Sequence, residues 1–139
     1  MIDLVLGLHL YQPPNQQPDI LERITKESYL PTIELALSHP RAFFTTDLAR
    51  SAIENLKKQK TGKEFLLKIK KALELKKILP VSTAAYHPIL PLIPEEEITR
   101  QAELNEEIYK NLFRELYPVR NPGVKNFSII KFFTDPELS

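Results

Sequence analysis

The sequence predicts an α/β fold with parallel strands, and three observations carry that expectation. The chain opens on an almost unbroken apolar run, Met1 to Leu10, which reads as a strand covered on both faces and not as an alternating one. Strand-like and helical stretches then alternate to the end of the chain, the order that right-handed crossovers between parallel neighbours satisfy. Polar residues with chemistry to offer gather just after the strands, where sheets of this kind bind their ligands. An open α/β sheet and part of a barrel both fit this pattern.

Each element has its own reason. Ile2 to Leu10 is the first strand, and Tyr11 to Pro18 is a polar, proline-rich loop. Asp19 is placed to cap a short helix, with Glu22 three residues on as in a capping box. A second helical piece runs from about Tyr29 to Ser38 and breaks at His39-Pro40, because the residue before a proline is pushed out of the helical region. Ala42 to Thr46 is the second strand. Asp47 follows as a cap for a helix whose apolar face is Leu48, Ala52, Ile53 and Leu56. Thr61 and Glu64 form another capping-box pattern, opening a basic helix to about Lys77 with Phe65, Leu66, Ile69, Ala72 and Leu73 inward.

Leu79 to Ala85 is the third strand, and Pro80 fits only at its start. Tyr86 to Pro94 is too rich in proline for helix or sheet. The longest helix runs from about Glu95 to Leu116, its three leading acids complementing the helix dipole. Leu104, Ile108 and Leu112 lie four apart on its apolar face, flanked by Tyr109, Phe113 and Leu116. After a turn at Asn121-Pro122-Gly123, Phe127 to Phe133 is a fourth strand. All 139 residues form one domain in this reading.

Composition narrows the function classes. With 42% apolar and 27% charged residues the chain has the make-up of a soluble globular protein. A net charge of +1 supplies no field for nucleic acid or an anionic membrane. The basic helix lacks the interleaved exposed aromatics of a nucleic-acid site and reads as a solvated face. No stretch reaches the length of a membrane span. Cysteine is absent, so disulfides and cysteine-ligated zinc are excluded, and a reducing, cytoplasmic setting is the expectation. The N-terminal run has no basic segment before it and contains Asp3, unlike a signal peptide. Twelve prolines, three glycines and abundant Lys and Glu fit a heat-adapted protein.

The candidate site residues fall at the strand C-termini: His9 and Gln12 after the first, Thr46 and Asp47 after the second, His87 after the third, Glu137 after the fourth. Burying a histidine or a glutamine costs free energy unless it finds partners, which makes the first group informative. Each residue also has a purely structural reading. His9 is then a satisfied core histidine, Gln12 folds the loop with Pro13 and Pro14, Asp47 is a helix cap, His87-Pro88 ends a strand, and Glu137 frays near the chain end. His39, in a helix-ending turn, reads as surface structure.

The segments Leu8-His9-Leu10-Tyr11-Gln12-Pro13-Pro14 and Tyr86-His87-Pro88-Ile89-Leu90-Pro91-Leu92 resemble the first two conserved regions of glycoside hydrolase family 57. Ala42 to Leu48 and Glu54-Asn55-Leu56 sit where that family has its second strand and a helix, and the likeness runs in order to about residue 118. It implies the N-terminal portion of a (β/α)7 barrel of the glycoside hydrolase/deacetylase type, acting on α-glucans or oligosaccharides by a retaining mechanism without a cofactor. Such a mechanism uses two carboxyl groups about 5–5.5 Å apart, a nucleophile and an acid/base. By resemblance His9, Gln12, His87 and Asp47 hold the substrate. Glu137, in Phe132-Phe133-Thr134-Asp135-Pro136-Glu137, is the counterpart of the nucleophile, with an extra residue and no preceding glycine relative to the family pattern. The family's acid/base aspartate has no counterpart here, so the expectation is a partial catalytic domain, inactive alone. Two other readings stay open. One is a non-catalytic carbohydrate-binding or split-enzyme subunit completed by a second chain. The other is a metal-dependent polysaccharide deacetylase-like protein with His9, Asp47 and His87 as ligands, although it lacks the Asp-Asp and close His pairs usual there.

Overall fold

The computed structural model of the chain describes residues 6–81 and 83–112. Three short strands, β1 (Leu6–Leu10), β2 (Phe44–Leu48) and β3 (Ile78–Val81), pair in parallel in the order β1-β2-β3. Register sets Leu10 beside Leu48, and His9 beside Asp47, which in turn pairs with Val81. Successive strand residues point to opposite faces, so one face carries Leu8, Leu10, Phe44, Thr46, Leu48 and Ile78 and the other carries Gly7, His9, Thr45, Asp47 and Leu79.

The first face holds the core. Ile33 and Ala36 of helix α2 (Leu30–Ser38) and Ala52, Ile53 and Leu56 of α3 (Arg50–Leu56) pack on it with Phe65, Leu66, Ile69 and Ala72 of α4 (Lys60–Glu74). Of the inward positions expected for α3 and α4, Ala52, Ile53, Leu56, Phe65, Leu66, Ile69 and Ala72 are buried, whereas Leu73 is only partly buried and Leu48 is buried as a residue of β2 and not of the helix. The second face is open among the described residues: Gly7, His9 and Leu79 are exposed. This corrects the expectation of a first strand covered on both faces. Among the described residues β1 is an outer strand of the sheet, and the helices lie against one side of it.

The first helical region is continuous. Helix α1 (Pro18–Ile24) passes through a π-helical turn, Thr25–Tyr29, into α2. Pro31 explains the widened turn: it has no N–H to donate, and its ring clashes with the carbonyl four residues back. Thr25 loosens the helix further by donating its hydroxyl to the Leu21 carbonyl at 2.7 Å.

The capping expectations are the ones the structure overturns. Helix α1 starts two residues earlier than expected, at Pro18 with Gln17 at the cap position, so Asp19 sits in its first turn. Glu22 and Thr61 do not close capping boxes; the Thr61 hydroxyl donates to Glu22 Oε2 at 2.7 Å and ties α4 to α1. The second strand begins at Phe44, because Ala42 N–H is still held in a turn by the His39 carbonyl at 3.2 Å. Asp47 thus belongs to the strand and caps nothing, and Ala49 takes the cap position of α3. β3 ends at Val81, with Pro80 inside it, tolerated because β3 is an outer strand among the described residues. The loop before α5 contains one 3₁₀ turn, Leu90–Leu92.

Helix α5 (Glu95–Leu112) supplies the missing cap. Asn105 Oδ1 accepts the Arg50 N–H at 2.7 Å, and the Ala85 carbonyl accepts the Ser51 N–H at 3.1 Å. The inward face of α5 is consequently mixed: Gln101, Asn105 and Ile108 are buried, while Leu104, expected inside, is half-buried. Gln101 Oε1 accepts the Tyr86 N–H at 3.0 Å, and its carbonyl accepts the Ala85 N–H at 3.1 Å. Asn105→Ala should cost about 1–2 kcal/mol by orphaning the first N–H of α3. Urea denaturation measures this, and an unchanged midpoint would contradict the capping role. No helix among the described residues is long and apolar enough to cross a membrane. The expected fourth strand and Glu137 lie outside the described residues.

Candidate functional site

β1 and β2 deliver His9 and Asp47 side by side because they are register partners on the open face. Asp47 Oδ2 lies 2.7 Å from His9 Nδ1, and Asp47 Oδ1 accepts the Leu10 N–H at 3.2 Å. His87 arrives from the loop after β3. Its Nε2 stands 3.7 Å from Asp47 Oδ2 and 3.1 Å from the Thr83 hydroxyl. His87 has φ +49°, the left-handed region that non-glycine residues seldom enter. Such conformations persist where the surroundings over-determine them, often at functional sites. Tyr86, just before it, is held at its N–H by Gln101 and at its hydroxyl, which lies 3.4 Å from Glu54 Oε2.

The rings form a small aromatic corner. His9 and His87 meet edge-on with centroids 4.7 Å apart, Tyr11 meets His87 at 4.8 Å, and Tyr11 and His9 stack at 6.0 Å. Tyr11 was missed as a site residue by sequence reasoning, although it lies inside the first motif. Asn55 is a second such residue. Its amide nitrogen donates to the carbonyls of Pro13 at 2.9 Å and Pro14 at 3.3 Å, fixing the loop after β1. The signal for it was its place in Glu54-Asn55-Leu56.

The other candidates fall elsewhere. Gln12 is buried, and its amide nitrogen donates to Tyr29 Oη at 2.7 Å, behind the histidines. Thr46 is buried on the core face, donating to the Leu8 carbonyl at 3.2 Å. His39 is exposed and accepts the Arg41 N–H at 3.3 Å, a surface turn as expected. Glu137 and Asp135 lie outside the described residues.

Burial, the largest influence, pushes the His87 pKa down; nearby Asp47 opposes this and His9 reinforces it. A depressed native pKa means that the unfolded chain binds the proton more readily. The His87 contribution to stability is then fully present above the ordinary histidine value of about 6.5 and is lost as pH falls through its own lower value. A proton NMR titration should place the His87 midpoint below that of the urea-unfolded chain. A midpoint at or above the unfolded one would contradict this environment.

One donor atom from each of His9, Asp47 and His87 lies within 4.8 Å of the others, near enough for the three to be weighed as metal ligands. Ligands about 2.0–2.1 Å from a tetrahedral zinc stand about 3.3 Å apart. The 2.7 Å between His9 and Asp47 is the distance of a shared proton, and the 3.7 Å to His87 lies on the other side of that value. His9 and Asp47 are thus hydrogen-bonded to each other, with the rings of His87 and Tyr11 beside them.

Comparison with known proteins agrees with the family resemblance. The profile of Glycosyl hydrolase family 57 matches residues 7–121. Alpha-amylase 1 of Dictyoglomus thermophilum is 34% identical over 105 residues, which are 75% of this chain and 15% of the amylase. The alpha-amylase of Pyrococcus horikoshii is 25% identical over 105 residues, 76% of this chain and 16% of that protein. The crystal structure of the 4-alpha-glucanotransferase from Thermococcus litoralis superposes with a TM-score of 0.71 at 21% identity, over 78% of this chain and 17% of that one, a likeness of fold. This chain thus spans about a sixth of the length of the proteins it matches.

Proposed function

The chain belongs to glycoside hydrolase family 57, and we propose that it is the N-terminal part of a (β/α)7 barrel that grips an α-glucan for retaining hydrolysis or glucosyl transfer. The observation that supports this reading is the convergence of His9, Asp47 and His87 at the ends of parallel strands, ringed by Tyr11. The imidazoles exchange hydrogen bonds with sugar hydroxyls, and the tyrosine ring offers an apolar face to the pyranose. Gln12 and Asn55 hold the loop that presents this corner. Glu137 is the nucleophile in this reading, and the acid/base carboxyl comes from outside these 139 residues. In this reading no carboxyl group of the chain takes the acid/base role that a two-carboxyl mechanism needs, so the chain binds without hydrolysing.

A second reading, a binding or split-enzyme subunit completed by another chain, is supported by β1 and β3 each having a partner on one side only among the described residues. The absence of cysteine supports a cytoplasmic place of work. Calorimetry with maltoheptaose, paired with an assay for new reducing ends, tests the proposal. Saturable binding without new reducing ends is expected. Turnover by the isolated chain would overturn the inactive-alone reading, and no binding would overturn the α-glucan reading.

A further inference from the structure

We propose that Asp47 is a positioning residue that never touches the ligand: it fixes His9 as the Nδ1–H tautomer and leaves His9 Nε2 as the bare acceptor that receives a ligand hydroxyl. The tautomer follows from the chemistry of the pair. A carboxylate has no proton to give, so the hydrogen in the 2.7 Å contact between His9 Nδ1 and Asp47 Oδ2 belongs to the ring. In a neutral imidazole with hydrogen on Nδ1, Nε2 is an acceptor. The carboxylate is itself held, since Oδ1 takes the Leu10 N–H at 3.2 Å. One oxygen serves the backbone and the other serves the ring.

Accessibility assigns the division of labour. The His9 side chain is 59% exposed and that of Asp47 16%. A ligand arriving at the strand ends meets the imidazole, while the acid works from behind. Orientation is fixed from two further sides, by the stacked Tyr11 ring and the edge-on His87 ring. His87 does not compete for the acid. Its Nε2 is 3.7 Å from Asp47 Oδ2, beyond hydrogen-bond length, and has the Thr83 hydroxyl at 3.1 Å. Asp47 therefore commits to one histidine. Asp-His pairs work in this way generally: the acid selects the tautomer, and its amide analogue selects the wrong one.

The hydroxyl-acceptor role rests on the α-glucan reading, whereas the tautomer does not. Long-range nitrogen–proton NMR correlations of the ¹⁵N-labelled 139-residue chain read the two ring nitrogens of His9 directly. Wild type and His87→Ala should both show a proton on Nδ1 and none on Nε2. Asp47→Asn offers an amide N–H to Nδ1, so its ring proton should move to Nε2, and maltoheptaose affinity should fall at least tenfold. A proton on Nε2 in the wild type, or a tautomer that changes in His87→Ala, would overturn the assignment even if Asp47→Asn does not fold. Unchanged affinity in a folded Asp47→Asn with the switched tautomer would overturn the acceptor role. Absence of maltoheptaose binding by the wild type would overturn the α-glucan reading while the NMR result still decides the tautomer.

Discussion

Gly62→Ala is expected to destabilise the protein by about 3 kcal/mol. Gly62 is the third residue of α4, buried where the helix turns back on the end of α3. A Cβ built there would stand 2.7 Å from Leu56 Cα and 2.8 Å from its carbonyl carbon, and would press hardest on the carbonyl oxygen. These are backbone atoms of a fully buried residue, so no flexible side chain can move aside. Relief requires sliding α4 away from α3, which opens the packing of Ile53, Leu56 and Phe65. Urea denaturation measures the loss, and one below about 1 kcal/mol, the low end for overpacking, would mean that the helices do not approach this closely.

Phe65→Ala is expected to cost about 3–5 kcal/mol, the range for emptying a large buried aromatic position. Phe65 is among the largest fully buried side chains and lies 5.3 Å from the Tyr29 ring, centroid to centroid. Tyr29 in turn accepts the amide of Gln12. The cavity therefore opens under the brace of the loop that carries Tyr11, and maltoheptaose affinity should fall along with stability. Leu67, two residues on and 70% exposed, provides the control: Leu67→Ala should stay within about 0.5 kcal/mol. Equal losses at the two positions would mean that α4 is rotated from the face described.

α4 also shows what the sequence made legible. Its apolar residues recur at helical spacing, and Phe65, Leu66, Ile69 and Ala72 are the ones buried. The parallel α/β class was legible for a similar reason, since the alternation of strands and helices leaves few ways to connect them. Ends of elements were harder. The second strand slipped by two residues because a turn around His39 and Ala42 consumed its expected start. Capping was hardest, because the partners came from distant helices: Asn105 lies 55 residues from Arg50 and Thr61 lies 39 from Glu22. No local pattern encodes such pairs.

The site followed the same division. The motifs around His9 and His87 named residues that the fold brings together with Asp47, whereas Asp47 also matched a helix-cap pattern that only the strand register discounts. Gln12 carried the same motif signal, yet its amide nitrogen is engaged by Tyr29 behind the histidines. Tyr11 and Asn55 stood inside the quoted motifs, and their roles depend on where the loop turns, which spacing along the chain does not specify.

The central claim is that the corner built by His9, Tyr11 and His87 holds an α-glucan. Titrating maltoheptaose into the ¹⁵N-labelled chain while following the imidazole and backbone signals tests it most directly. The account predicts saturable shifts centred on His9, Tyr11 and His87, abolished in His9→Ala while the remaining spectrum stays folded. Shifts centred elsewhere on the fold, or unchanged binding by His9→Ala, would contradict it.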